Sequence, residues 1–411
     1  MRRRDMVVPH EDHRAKITER VRPMIGAADT SRAMQSQQQA KNRRAPCVCI
    51  AVTVPWTFIH CGEIPSMLVA RGWRVIMVAS TLPPEGERVE GVLYRAIAMH
   101  RGVSPIADAV AIVRWVAFLR RERPDGVIAS TPKASFLVLV ASRICGVRRR
   151  QWLVRGCRWD RERGLRAWLA RLGDRVASWC ATDVVAVSHG LRALLESKSI
   201  AVGRVRVLGA GGSRGVDTVR YAPRLARSLH TSPTIGFAGR LAHDKGLDWL
   251  PALLRAVLCI VPDARLLIAG GSDNADPGRI ETIRELQGMA CVKLLGSVSD
   301  MPEFYRSIDV LCFPSLREGL PNAVIEAAAC GVPTVAWDAT GVSDAVLQGE
   351  TGYVLPMGDI NAMAEKISTI LTSADERERL AVAARRFAEE NFSADLVQAR
   401  YVEHLEHAWS T

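Results

Sequence analysis

The chain has no apolar run long enough to span a bilayer. Its opening residues, MRRRDMVVPHEDH, lack the hydrophobic stretch of a secretory leader, so a cytoplasmic protein is expected. The ten cysteines show no metal-ligand spacing: Cys47 and Cys49 stand one residue apart and the rest are scattered through apolar stretches. Buried, reduced thiols are expected, and no metal site. No G-x-G-x-x-G opens the first strand-to-helix turn of either half, which speaks against a nicotinamide-dependent oxidoreductase.

The 411 residues, 48% apolar and 24% charged, suit two domains that each bury a core. Charge divides them. Residues 1–231 hold 40 Lys/Arg against 18 Asp/Glu, a net of +22, and residues 232–411 hold 15 against 25, a net of −10. An anionic partner for the first half is one reading, whether nucleic acid, an anionic membrane surface or a phosphorylated acceptor; solvated arginines with no partner are the other. Residues 1–45 are polar and basic (QSQQQAKNRR) and are expected to be a disordered extension. Apolar strands then alternate with helices over 46–210, a Gly/Pro-rich linker follows at 211–233, and the alternation restarts over 234–392. This pattern indicates two parallel sheets, each covered on both faces. Residues 393–411 form a last helix with no strand after it.

The stretch FPSLREGLPNAVIEAAACGVPTVAWD (Phe313 to Asp338) carries the most chemistry. It reads as a buried strand, a turn bearing Glu318, and a helix opening near Pro321 and bearing Glu326. Free N–H groups in the stretch Gly319 to Asn322, those of Gly319, Leu320 and Asn322 around Pro321, would receive an anion at that helix start. Two carboxylates flank them as acceptors for neutral hydroxyls, the layout of a nucleotide-sugar. GFAGRLAHDKGLDWL places Gly239 and Arg240 just after a strand and Lys245 at the mouth of a helix, where two cations neutralise a diphosphate leaving group.

At these residues the chain resembles the retaining glycosyltransferases of the GT-B fold, family 4 in particular, of the capsular-polysaccharide and lipid-linked-oligosaccharide type. The resemblance covers about residues 46–392. It implies two Rossmann-like doubly wound domains facing across a cleft, with the C-terminal helix returning to the first. It implies that Glu318 contacts the transferred sugar, that Glu326 contacts the nucleotide ribose, and that Arg240 and Lys245 hold the diphosphate. Ser297 and Val298, after the strand ending near Gly296, become candidate base contacts, and IAGGSDNADPG a turn lining the nucleotide cleft. GGSRGVD looks like the family's hinge, with Arg214 where asparagine is usual. ASTPKASFLVLVAS puts Thr131 and Lys133 at a helix start; Lys133 either holds substrate phosphate or is an exposed lysine on a capping turn. The implied donor is a nucleotide-diphospho-sugar, UDP-linked, and the acceptor a lipid-linked or polysaccharide chain. No Asp-x-Asp pair is present of the kind that bridges a cation and diphosphate in metal-dependent transferases of the other major fold, so no metal cofactor is expected. The alternatives are a nucleic-acid-binding protein and a sugar-nucleotide epimerase of the same fold.

His60 and His189 remain candidate polar groups near the cleft, against the ordinary structural role of a lone histidine. The helix predicted near Gly164 to Cys180 spaces Leu165, Trp168, Leu169, Leu172, Val176 and Trp179 on one stripe among arginines. That stripe either docks on the first sheet, the preferred reading, or lies with Arg148, Arg149 and Arg150 on the inner face of an anionic membrane.

Overall fold

The computed structural model describes residues 45–100, 102, 104–160, 163–223, 232–271 and 278–410. The expected extension and most of the IAGGSDNADPG turn lie outside them. Short apolar runs rich in Val, Ile and Ala form the strands. In the first domain these are β1 (Cys47–Ala51), β2 (Arg74–Ala79), β3 (Leu93–Ala96), β4 (Gly126–Ser130), β5 (Arg149–Val154), β6 (Asp183–Ala186) and β7 (Val205–Arg206). They pair in parallel in the order β3-β2-β1-β4-β5-β6-β7, with Ile50 opposite Ile128. The second domain holds β8 (Thr234–Ala238), β9 (Arg265–Ala269), β10 (Val292–Gly296), β11 (Val310–Phe313), β12 (Thr334–Trp337) and β13 (Gly352–Leu355). Their order is β10-β9-β8-β11-β12-β13, again parallel. The short β7 and β13 were not anticipated from the sequence.

Both sheets reverse direction once, between β1 and β4 and between β8 and β11. In open α/β sheets such a reversal splays the flanking loops and leaves a crevice at the carboxyl ends of the strands. The segments after β8 and β11 are the ones that carry Arg240, Lys245 and Glu318.

The chain crosses between domains twice, side by side. Val216 N–H donates to Phe392 O and Ala394 N–H to Val216 O, both at 2.8 Å. A Cβ on Gly215 would sit 2.8 Å from Phe392 O, so the crossing needs glycine there. The final helix, Ala394–Ser410, then returns to the first domain. Its His404 Nε2 lies 2.7 Å from Asp183 Oδ2, Ala408 O accepts from Arg149 Nε at 2.6 Å, and Trp409 packs on Trp73 at 5.0 Å between centroids.

The helix Gly164–Cys180 reverses the preferred docking of its stripe. Its buried residues are Ala167, Asp174, Ala177, Ser178 and Cys180, while Leu165, Trp168 and Trp179 are 71%, 54% and 63% exposed. The small residues let it pack closely on the neighbouring helix Pro132–Ile144, and the large apolar ones are left outside. Arg149 and Arg150 are half-buried, each spending its Nε on a backbone carbonyl. Arg150 Nε donates to Cys180 O at 2.6 Å, tying off a helix end, while Arg148 stays exposed.

Candidate active site

A cavity of about 510 Å³ opens between the two domains. One wall is the second domain's reversal point: Gly239, Arg240 and Lys245 after β8, and Glu318, Gly319, Leu320, Pro321 and Asn322 after β11. Lys245 Nζ donates to Glu318 Oε1 at 2.6 Å, and Ser315 Oγ donates to the same oxygen at 2.7 Å. Two donors thus hold one carboxylate oxygen and orient Glu318 in the turn. Arg240 Nη2 lies 3.1 Å from Asp244 Oδ2, and Arg317 Nη2 lies 3.6 Å from the same atom. The helix runs Asn322–Ala329 with Pro321 as its N-cap, one position earlier than the first-turn site expected. No side chain caps it, and the N–H groups of Gly319, Leu320, Asn322 and Ala323 make no hydrogen bond among the described residues. They are the orphan donors of a helix start, facing the cavity with the positive end of the dipole.

Glu326, expected beside Glu318 at the nucleotide, has its carboxylate engaged within the protein. It is 8% exposed and does not line the cavity. Arg214 Nη2 donates to its Oε1 at 2.5 Å and the Tyr305 hydroxyl to its Oε2 at 3.1 Å. Burial raises its pKa, and the Arg214 charge opposes that rise. The unusual hinge arginine is therefore the partner of the second glutamate. Lys133 is also absent from the cavity: it forms an ion pair with Asp108 at 2.8 Å, because both sit in first helical turns that face each other. Ser297, Val298 and His189 do not line it; His189 N–H donates to Asp344 Oδ1 across the domains at 3.0 Å.

The opposite wall belongs to the first domain. Thr131, at the end of β4, has φ +77°, a left-handed conformation rare outside glycine. Its Oγ1 lies 2.7 Å from Thr53 Oγ1 and accepts from Thr53 N–H at 3.0 Å, which ties the loops after β1 and β4 together. His60 lines the cavity, and its pKa is lowered to about 4 by burial and then by Arg155 and Arg214. Asp174 lines it too. Burial pushes its pKa up to about 6, against the Trp159 indole N–H that donates to it at 2.6 Å.

Arg155 was not singled out from the sequence. A signal existed: it directly follows an apolar parallel strand (RQWLVRG), one residue nearer the strand than Arg240 is to its own. Its carbonyl touches the opposing wall, since a Cβ on Gly319 would lie 1.9 Å from Arg155 O. Ser188 Oγ donates to Gly319 O at 2.6 Å, so the first domain clasps the Glu318–Gly319 turn from both sides.

This architecture, two doubly wound domains with facing reversal points and a returning C-terminal helix, defines the GT-B class of glycosyltransferases. The comparisons agree. Residues 60–211 match the model of a glycosyl transferase 4-like domain, and residues 232–373 that of glycosyl transferases group 1. A capsular polysaccharide biosynthesis glycosyltransferase, CapM of Staphylococcus aureus, is 28% identical over 82% of this chain and 90% of its own. A GDP-mannose-dependent alpha-(1-6)-phosphatidylinositol monomannoside mannosyltransferase of Mycobacterium tuberculosis is 27% identical over 82% of this chain and 84% of its own. Among solved structures, Anabaena HepE in complex with UDP and glucose superposes with a TM-score of 0.74 at 17% identity, over 88% of this chain and all of that one. The chain belongs to family 4 of the GT-B glycosyltransferases, and it is a transferase enzyme.

Proposed function

We propose that the protein is a retaining, metal-independent glycosyltransferase that moves a sugar from a nucleotide-diphospho-sugar, UDP-linked, to a lipid-linked or polysaccharide acceptor in cell-surface glycan synthesis. The observation that carries this is the Lys245–Glu318 pair standing beside the unpartnered N–H groups of Gly319, Leu320, Asn322 and Ala323. The donor's diphosphate lies against those N–H groups, Lys245 and Arg240. The bond between the anomeric carbon and the phosphate oxygen breaks, and its electron pair goes to the diphosphate. Fixed cations and oriented dipoles stabilise that charge because they need no reorganisation as it develops. Glu318 positions a sugar hydroxyl. The acceptor hydroxyl attacks from the face the leaving group departs and passes its proton to the departing phosphate oxygen.

UDP is favoured by the complex of HepE and GDP by the mannosyltransferase, so the base is the first thing to measure. A thermal-shift screen of UDP-, GDP- and dTDP-sugars should find one class that stabilises the protein. Transfer should persist in EDTA, and NMR should show the donor's anomeric configuration kept in the product. Inversion, or a requirement for manganese, contradicts the reading.

The acceptor side supports a membrane location. No helix among the described residues is long and apolar enough to cross a bilayer. The adjacent helices Pro105–Glu122 and Gly164–Cys180 flank the helix Pro132–Ile144, and together they expose Ile106, Val113, Leu165, Trp168 and Trp179. Arg143 lies 3.9 Å over the Trp179 ring. Beside them Arg120, Arg123 and Arg148 line a second cavity of about 510 Å³. Apolar side chains rimmed by arginine suit the interface of an anionic bilayer, where a lipid-linked acceptor is presented. A nucleic-acid partner leaves this apolar face and the glutamate turn unexplained. An epimerase of the same fold would consume a nucleotide-sugar with no acceptor present, which the transfer assay detects.

A further inference from the structure

The cations expected from the sequence to hold substrate each face an acid within their own domain. Lys245 has Glu318, and Arg240 has Asp244. Arg155 has neither. It lines the cavity from the first-domain wall, and its Nη2 donates to the carbonyl of His60 at 3.2 Å. Its Nε and Nη1 are buried and have no partner among the described residues. Arg214 approaches from the hinge. It spends Nη2 on Glu326, and its Nε is likewise buried and unpartnered. Both guanidinium groups act on His60, which burial and their charges keep neutral. Among the described residues Arg155 forms no ion pair, and Arg214 pairs only with Glu326, so the Arg155 charge stands next to the cavity without an acid bonded to it. A guanidinium cannot shed its proton to escape that situation, and buried donors without acceptors are costly.

We propose that Arg155, backed by Arg214, is an oxyanion subsite of the cleft, distinct from the group that takes the donor's diphosphate. It receives a carboxylate or phosphate carried by the transferred sugar or by the acceptor. The assignment to those partners rests on the donor reading above; the anion site itself does not. The two sites are on opposite walls. Arg155 follows β5 and its carbonyl abuts Gly319, whereas the diphosphate group follows β8 and β11. A sugar on the Glu318 side of the donor therefore lies between them. Arg155 reads what that sugar or its acceptor presents, as a planar fork suited to a two-oxygen anion.

The test uses the full chain as wild type, Lys245→Ala, Arg155→Gln and Arg155→Lys, with inorganic phosphate as the probe and melting temperature as the readout. Lys245→Ala disables the diphosphate group, so its phosphate response should persist. Arg155→Gln should weaken the apparent phosphate affinity about tenfold, the scale of one lost charge-assisted contact, and Arg155→Lys should fall between. Circular dichroism and the melting temperature without phosphate show whether each variant is folded. A phosphate response equal in wild type and Arg155→Gln, or absent from wild type, overturns the proposal. If Arg155→Gln does not fold, Arg155→Lys decides alone: it keeps the charge but not the fork, and unchanged phosphate affinity in it counts against the site. Donors separate the two sources. A tenfold preference for UDP-glucuronate over UDP-glucose that Arg155→Gln abolishes puts the anion on the transferred sugar. No preference, with a tenfold higher KM of Arg155→Gln for a phosphate-bearing acceptor, puts it on the acceptor. Failure of UDP and GDP to bind wild type sinks the donor reading, and the phosphate titration still decides this one.

Discussion

On the second-domain wall of the cleft, charges come as matched pairs built within a few residues of strand-to-helix turn: Lys245 with Glu318, Arg240 with Asp244. On the first-domain wall, Arg155 rests on a carbonyl, His60 is held neutral, and Asp174 is buried against an indole. The first arrangement is stable before any ligand arrives and is ready to stabilise developing charge. The second has unspent hydrogen-bond capacity and groups whose ionisation is shifted by burial, which suits a wall completed by substrate. The comparison teaches that the two walls differ in kind, one built of paired charges and the other of unpaired donors; on the proposed function this divides the reaction machinery from recognition of the group between the walls. It also explains why the basic balance of the first half does not reappear as a row of ion pairs in the cleft.

The comparison breaks most severely if the paired wall is dispensable. Lys245→Ala should lower turnover by about 10²–10³-fold, the scale of roughly 3–4 kcal/mol for a lost preorganised electrostatic group. Glu318→Gln keeps the shape and loses the charge, and should also act on turnover more than on KM. Steady-state kinetics on both variants check this, and near-wild-type turnover in either removes that residue from the chemistry.

His60 sharpens the other wall. Its proton is bound near pH 4 in the folded chain and near 6.5 unfolded, so the folded state is favoured above pH 6.5 and loses that advantage as pH falls through 4. The span corresponds to roughly 3 kcal/mol. Denaturant melts of wild type and His60→Gln should diverge in slope between pH 6.5 and 4, with the variant flatter. Parallel slopes would mean that His60 titrates normally. Asp174 carries the opposite sign. Its raised pKa of about 6 favours the folded state below the ordinary aspartate value, and that share is lost as pH rises through 6.

Gly319→Ala tests how the walls meet. The new methyl would stand 1.9 Å from Arg155 O, a backbone atom that no side-chain rotation relieves. The cost should be about 1–3 kcal/mol, taken either as lost stability or as an opened cleft. Small-angle scattering and a melt together distinguish these, and no change in either would show that the domains do not touch there in solution.

The smallest effect is expected at the apolar face. Each cation there adds on the order of 1 kcal/mol of attraction to an anionic surface. Arg143→Gln with Arg148→Gln should weaken sedimentation with anionic vesicles at low salt and leave transfer to a soluble acceptor unchanged. Equal binding to neutral vesicles would leave the arginines without that role.

The strand-helix alternation and the reversal-point turns were legible because the groups involved are contiguous in sequence. Phe313 to Asn322 holds strand, carboxylate and helix start in one short run, so Glu318 and its neighbours reach the cavity by local geometry. Glu326 was legible as a residue but not as a contact, since its partners Arg214 and Tyr305 come from the hinge and another helix. Lys133 was lost to Asp108 for the same reason. The stripe on Gly164–Cys180 was read with its direction inverted: periodicity identifies a face but not which way it turns, and here Ala167, Ala177 and Ser178 fit closely enough to win the inside. Arg155 carried only the signal of an arginine after an apolar parallel strand, and nothing local distinguishes an arginine that will be partnered from one that will not.

The most direct test of the account is calorimetric titration of UDP and of GDP into wild type and Lys245→Ala. The account predicts that one of the two nucleotides binds wild type one-to-one, and that Lys245→Ala weakens it by about 10-fold or more, as expected for a lost charge-assisted phosphate contact. Binding of neither nucleotide to wild type, or equal binding by the variant, would contradict the claim that the turns after β8 and β11 hold a nucleotide-diphospho-sugar.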